Sequence, residues 1–188
     1  MIAGLSTLLF WIFRKPISAK VEVWKINAKW KFIIIGSLSA VWIEFEFWAI
    51  EKIFGVSGIA ASPNIFLDLL VTMPWYIIMI WLLYKIEMRY SYSLFAILIL
   101  GGVYDFFADG VLGTVLSGNF SLVTPALLLI IFPLFFISYS FIVFPATYLL
   151  QNDRTIQLNQ KTNWKKYPFA LLPLLGLLVY GIILVILF

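Results

Sequence analysis

Long apolar runs separated by short polar stretches make up almost the whole chain. A helical membrane span needs about 17–25 apolar residues. Runs of that kind occupy 32–50 (FIIIGSLSAVWIEFEFWAI), 65–84, roughly 91–109, 121–150 and 168–188. A sixth, MIAGLSTLLFWIF at 1–13, is short. Its charges, Arg14 and Lys15, follow the apolar run rather than precede it, so it reads as a retained first helix ending in the interfacial layer, with a half-span as the alternative. The pattern predicts an all-α polytopic membrane protein of about six transmembrane helices, forming a single integral membrane domain over residues 1–188.

Two spans break the simple pattern. Residues 121–150 would extend about 45 Å as one helix at 1.5 Å per residue, longer than a hydrocarbon core of about 30 Å. Pro125, Pro133 and Pro145 lie along that run, and each removes a backbone donor. A kinked or tilted helix is expected there, with a re-entrant start as the alternative. Pro74 interrupts the 65–84 run in the same way. Segment 17–30 alternates apolar and polar residues with a slip at Val23-Trp24, a pattern that a surface helix and an extended strip fit equally.

Composition supports the lipid setting. The chain is 63% hydrophobic and 12% charged, about half the charged share of a soluble domain. It has no Cys and no His. That excludes disulfides, cysteine nucleophiles, and any haem or metal site built on thiolate or imidazole. Asp, Glu, Tyr, Trp, Ser, Thr, Asn, Lys and Arg remain for any chemistry.

The basic residues then orient the spans. Arg14, Lys15, Lys20, Lys25, Lys29 and Lys31 fall in the first connection, Lys85 and Arg89 in the third, and Arg154, Lys161, Lys165 and Lys166 in the fifth. Lys52 is the one exception among the thirteen. Under the positive-inside rule these basic loops are cytoplasmic, and six spans put both the N-terminus and the C-terminus outside, with the plasma membrane the expected location. The net charge of +4 is thus interfacial, beside Trp24, Trp30 and Trp164. It points to anionic headgroups of the lipid bilayer and to no nucleic acid.

Laid over this topology, Glu22, Glu87 and Asp153 fall among the basic connections, and the other six acids fall in the outer half. Glu51, beside Lys52, is expected in water. Glu44, Asp68, Asp105 and Asp109 form the expected inward-facing set, binding a ligand or a proton, with Glu46, Tyr104, Trp48 and Trp75 as secondary members. Asp105 and Asp109 share a helical face because they are four apart. Glu44 and Glu46 are about 200° apart around a helix, so one pocket cannot take both. Plain structural roles compete: Asp68 in its helix's first turn favours the dipole, and Asp109 before Gly110 suits a turn. The pair Gly101-Gly102 leaves room for close helix approach.

Three functions fit an acid-lined outer half. The favoured one is binding or transport of a cation, a proton or a small cationic solute, with Asn64, Thr72, Tyr76, Tyr104 and Asn119 as further polar groups. Trp48, Trp75 and Tyr104 would add cation–π walls. The second is an intramembrane enzyme acting on a lipid or isoprenoid by carboxylate acid/base chemistry, or with Mg2+ held by Asp105 and Asp109. The third is an accessory subunit whose polar groups face a membrane protein partner.

Overall fold

The computed structural model describes residues 2–90, 92–112, 124–151 and 164–187. Helix α1 is Ile2–Glu22, α2 is Ala28–Phe54 and α3 is Ile65–Arg89. Helix α4, Leu94–Asp105, passes directly into a π-helical stretch, Phe106–Leu112. Helix α5 is Thr124–Leu149, and the C-terminal run is a short α6, Lys166–Ala170, followed by α7, Leu172–Leu187.

The ends of these helices follow from local chemistry. Asn27 caps α2 through its side chain, which accepts from Trp30 N at 3.0 Å. Gly55 closes the same helix at φ 64°, in the left-handed region that favours glycine. Asn64 starts α3 by accepting from Phe66 N at 2.9 Å, and Ser93 starts α4 by accepting from Ala96 N at 3.2 Å. The break at Leu171 precedes Leu172-Pro173; proline has no N–H to return to residue 169, so the helix restarts there.

Helix α1 differs from expectation. It does not end near residue 13 but runs through Arg14, Lys15 and Pro16 to Glu22. The guanidinium of Arg14 lies 3.8 Å over the Trp11 ring and donates to the Trp11 carbonyl. A charge folded back along its own helix need not end it. The basic connection between α1 and α2 therefore shrinks to residues 23–27, and segment 17–30 is largely helical. Likewise Lys85 and Arg89 are in the last turns of α3 rather than in a turn.

Helix α5 is the hub. It packs on α1, α2 and α4, while α3 packs on α2 and α7. The tightest approach is α4 on α5, where the predicted glycine pair sits. A Cβ on Gly102 would come 2.7 Å from Phe136 Cα, and one on Gly101 would come 3.0 Å from the Tyr139 carbonyl oxygen. Aromatic contacts fasten α1 to the same helix: Phe10 meets Phe144 edge-on at 5.4 Å and Trp11 stacks on it at 5.7 Å.

The surface is apolar and the acids are inside. Leu175, Leu178, Val179, Ile182 and Ile186 are exposed, while Glu44, Glu46, Asp68, Glu87 and Asp105 are buried. Only a lipid environment makes that distribution stable. Among the described residues, Ala28–Phe54, Ile65–Arg89, Phe132–Leu149 and Lys166–Ile183 are long and apolar enough to cross a membrane, with Leu94–Ala108 a shorter apolar helix. The chain is thus an integral membrane protein with several helical spans.

The basic ends gather at one end of the bundle. Arg14 approaches the Tyr148 ring at 6.0 Å, Arg89 lies 5.1 Å over Phe169, and Tyr92 donates to the Lys166 carbonyl at 2.6 Å. The connection between α2 and α3 lies at the opposite, acidic end.

Candidate functional site

Glu44 and Glu46 leave α2 on opposite sides, as their angular separation requires. Glu46 points to α1, where its Oε1 accepts from Ser6 and from Trp42 Nε1 at 2.6 Å. Its Oε2 is buried with no hydrogen-bond partner among the described residues. It serves the α1–α2 contact, not the cavity described next.

Glu44 points to α3, where its Oε1 accepts from the Tyr76 hydroxyl. That hydroxyl is also 2.9 Å from the Tyr139 hydroxyl on α5. A phenol carries one proton. Since Tyr76 gives its proton to Glu44, Tyr139 is the donor to Tyr76. The result is a directed chain, Tyr139 to Tyr76 to Glu44, running across three helices in the buried part of the bundle. Both rings also pack together at 5.6 Å between centroids.

Above this chain lies a cavity of about 250 Å³, lined by Glu44, Phe47, Thr72, Tyr76 and residues 58–61. The 55–64 connection forms its roof and is tied down at several points. Glu51 accepts from Ile59 N at 2.7 Å and from Ala60 N at 3.1 Å. Asp68 accepts from Ser62 N at 3.1 Å, and Trp48 Nε1 donates to the Pro63 carbonyl at 3.1 Å. Gly58, at φ 86°, supplies the left-handed turn between these ties.

Two acids thus take roles that the sequence pattern did not show. Glu51, placed in water by its position beside Lys52, is instead 7% exposed and bonded to the roof backbone. Asp68 is fully buried; one oxygen holds Ser62 N, while Oδ2 has no hydrogen-bond partner among the described residues. It stands beside the cavity as an anchor of its roof and does not line it.

The remaining candidates are spread more widely. Asp105 is buried on α4, four residues after Gly101 on the same face, and does not line the cavity. The backbone of Asp109 falls in the π-helical stretch, so Gly110 does not end the helix; the side chain of Asp109 lies outside the described residues, as does Asn119. Tyr104 is fully buried and donates to the Ala170 carbonyl at 2.7 Å, joining α4 to α6. Trp75 is buried, with its ring 3.9 Å from the position a Cβ would take on Gly176 of α7. Neither ring lines the cavity, and nor does Trp48. Among the described residues, no group of three or more Asp or Glu is placed to hold a metal ion.

Two participants, Tyr139 and Glu87, are not apparent from the sequence pattern. Tyr139 sits in the triplet Ser138-Tyr139-Ser140, a polar interruption in an apolar run that Thr147-Tyr148 interrupts again, and that triplet is the available signal. Glu87 reads as a loop acid among Lys85 and Arg89. It is instead fully buried on α3 and accepts from Thr147 Oγ1 on α5 at 2.5 Å. Two polar bridges therefore join α3 to α5, one in the middle of the bundle and one at its basic end. No protein-family model, curated protein or solved structure matches this chain.

Proposed function

We propose that this chain is a membrane-embedded binding protein, working as a carrier or as the capture subunit of one, for a small monovalent cation. A protonated amine and the proton itself are the two ligands that best suit the cavity. The observation that supports this reading most directly is Glu44: a buried carboxylate at the floor of a cavity of about 250 Å³, with Tyr76 as its donor. One carboxylate matches one positive charge, and among the described residues no second acid lines the space to demand a divalent ion. Phe47 and Tyr76 offer aromatic surface to an alkylammonium.

The test is a thermal melt of the purified protein in mild detergent, with ammonium, methylammonium, choline and sodium chlorides at equal ionic strength. A ligand at a hundred times its Kd raises stability by about 2.7 kcal/mol. At least one amine should raise the melting temperature well above sodium, or a difference in melting between about pH 5 and about pH 8 should be present in the wild type and absent in Glu44→Gln. A melting temperature that ignores every cation and is flat across that pH range would sink the reading.

The same proposal places the cavity on the non-cytoplasmic face of the plasma membrane, because the basic connections lie at the other end. The Cys-free chain makes this simple to check. A thiol introduced by Ser57→Cys, in the exposed 55–64 connection, should react with an impermeant maleimide added to intact cells. Labelling only after the cytoplasmic side is opened would reverse the orientation.

A further inference from the structure

Helices α1 and α2 are consecutive, yet between the Ser6–Trp42–Glu46 contact at one end and the Lys31–Glu22 contact at the other they stand apart, and each leans on α5 instead. The space between them is a groove of about 440 Å³, floored by Phe141, Pro145 and Leu149 of α5. Its walls are mostly apolar, from Ile17 and Val21 on one side and Ile35 and Leu38 on the other, with Ser39 and Trp42 completing the α2 wall and the Trp42 N–H already given to Ser6 and Glu46. The charged residue in its lining is Lys20, at the basic end of the bundle, with Trp24 beside it.

Length decides what fits. The α1 wall runs from Phe10 to Val21, about 16 Å at 1.5 Å per residue. That is close to half of a hydrocarbon core of about 30 Å, the depth of one leaflet. A partner helix crossing the membrane would need a seam of about twice that length and no lysine in its lining. The order along the groove is the order along a phospholipid: a cation and an indole at headgroup level, then apolar surface toward the membrane centre.

We propose that this groove seats one acyl chain of an anionic diacyl phospholipid from the leaflet at the basic end, with the lipid phosphate on Lys20. Lys25, in the connection just below, adds to the field at the same level. Lys31 is buried, donates to the Glu22 carbonyl at 3.4 Å and does not line the groove, so it does not meet the lipid. Trp24, partly exposed, covers the glycerol region. The seated chain completes the gap between α1 and α2 that the protein leaves open.

The experiment uses the absence of cysteine. Leu38→Cys, in the groove wall and 60% exposed, is labelled with a fluorophore and reconstituted in phosphatidylcholine nanodiscs. Phosphatidylglycerol with brominated acyl chains is then added in steps, with brominated phosphatidylcholine as the comparison. Leu178→Cys, on the lipid-facing side of α7, is the reference. Quenching at position 38 should saturate at a lower fraction of phosphatidylglycerol than of phosphatidylcholine, by about fivefold for one lysine at the headgroup level. Position 178 should show no such preference. Lys20→Gln should remove the preference at position 38 while the unlabelled protein keeps its helical content. Equal quenching by both lipids, a preference that survives Lys20→Gln, or quenching blocked at position 38 because the protein dimerises there would each overturn the proposal. Retention of the preference by Lys20→Arg, which keeps the charge, separates a headgroup contact from a packing defect.

Discussion

Gly102→Val will lower the stability of the bundle by about 2–3 kcal/mol, which corresponds to about 5–10 °C in melting temperature for a chain of this size. The cause is the α4–α5 seam. A single carbon at position 102 already meets Phe136 Cα at 2.7 Å, Phe136 Cβ at 3.0 Å and Phe136 N at 3.1 Å. These are largely backbone atoms of a helix that also carries the contacts to α1 and α2, so none can move alone. Helix propensity pulls the other way, since glycine to alanine in a helix interior gains about 1 kcal/mol. Gly102→Ala therefore tests which effect wins, and the backbone clash should. Gly176→Ala provides the contrast. Its added carbon meets Ile78 Cγ2 at 2.8 Å and Leu82 Cδ1 at 3.2 Å, side chains on the less confined α3–α7 contact. Circular dichroism melts in one detergent should rank the proteins wild type, then Gly102→Ala, then Gly102→Val, with Gly176→Ala nearest to wild type. A Gly102→Ala protein that melts above wild type would show that propensity dominates and that α4 and α5 are not in backbone contact.

That glycine pair was legible in the sequence because small residues beside one another in an apolar helix have a direct geometric consequence. The opposed directions of Glu44 and Glu46 were legible for a similar reason: 100° per residue requires them. What stayed hidden depends on neighbours that no local pattern specifies. Arg14 looks like the end of a span until its guanidinium is found on Trp11. Glu87 looks like a loop acid because Lys85 and Arg89 flank it, yet α3 carries it inward to Thr147. Glu51 looks solvated beside Lys52, and only the fold of residues 55–64 turns two backbone N–H groups toward it. Tyr139 has no sequence neighbour that marks it as the partner of Tyr76, which lies 63 positions earlier. The candidate site was thus half readable. Glu44 stands out in the sequence as one of several candidate carboxylates, while the tyrosine chain behind it and the roof above it need the packed helices.

The second large effect concerns that tyrosine chain, with the ligand-dependent rise in melting temperature as readout. Glu44→Gln keeps the shape of the side chain and removes the charge. Losing one partner of a buried charge pair costs about 2–5 kcal/mol, so binding of a cationic ligand should weaken by at least about 30-fold. Tyr76→Phe removes the hydroxyl that donates to Glu44. That bond is present without ligand, so the change acts through the lost orientation of the carboxylate, and it should weaken amine binding by less than Glu44→Gln does. The two changes should not add. Once Glu44 is neutral, the Tyr76 proton no longer orients a carboxylate toward the cation, so the double variant should bind no worse than Glu44→Gln alone. Glu46→Gln is the decisive control, because Glu46 is buried on the same helix but faces Ser6 and Trp42 on the α1 side. It should lower the melting temperature of the unliganded protein and leave the ligand-dependent rise intact. If Glu46→Gln removed that rise while Glu44→Gln preserved it, the ligand would lie between α1 and α2, and the cavity over Tyr76 would be packing alone. A fully additive cycle would separate Tyr76 from the charge of Glu44 and reduce the tyrosine chain to a structural bridge between α3 and α5.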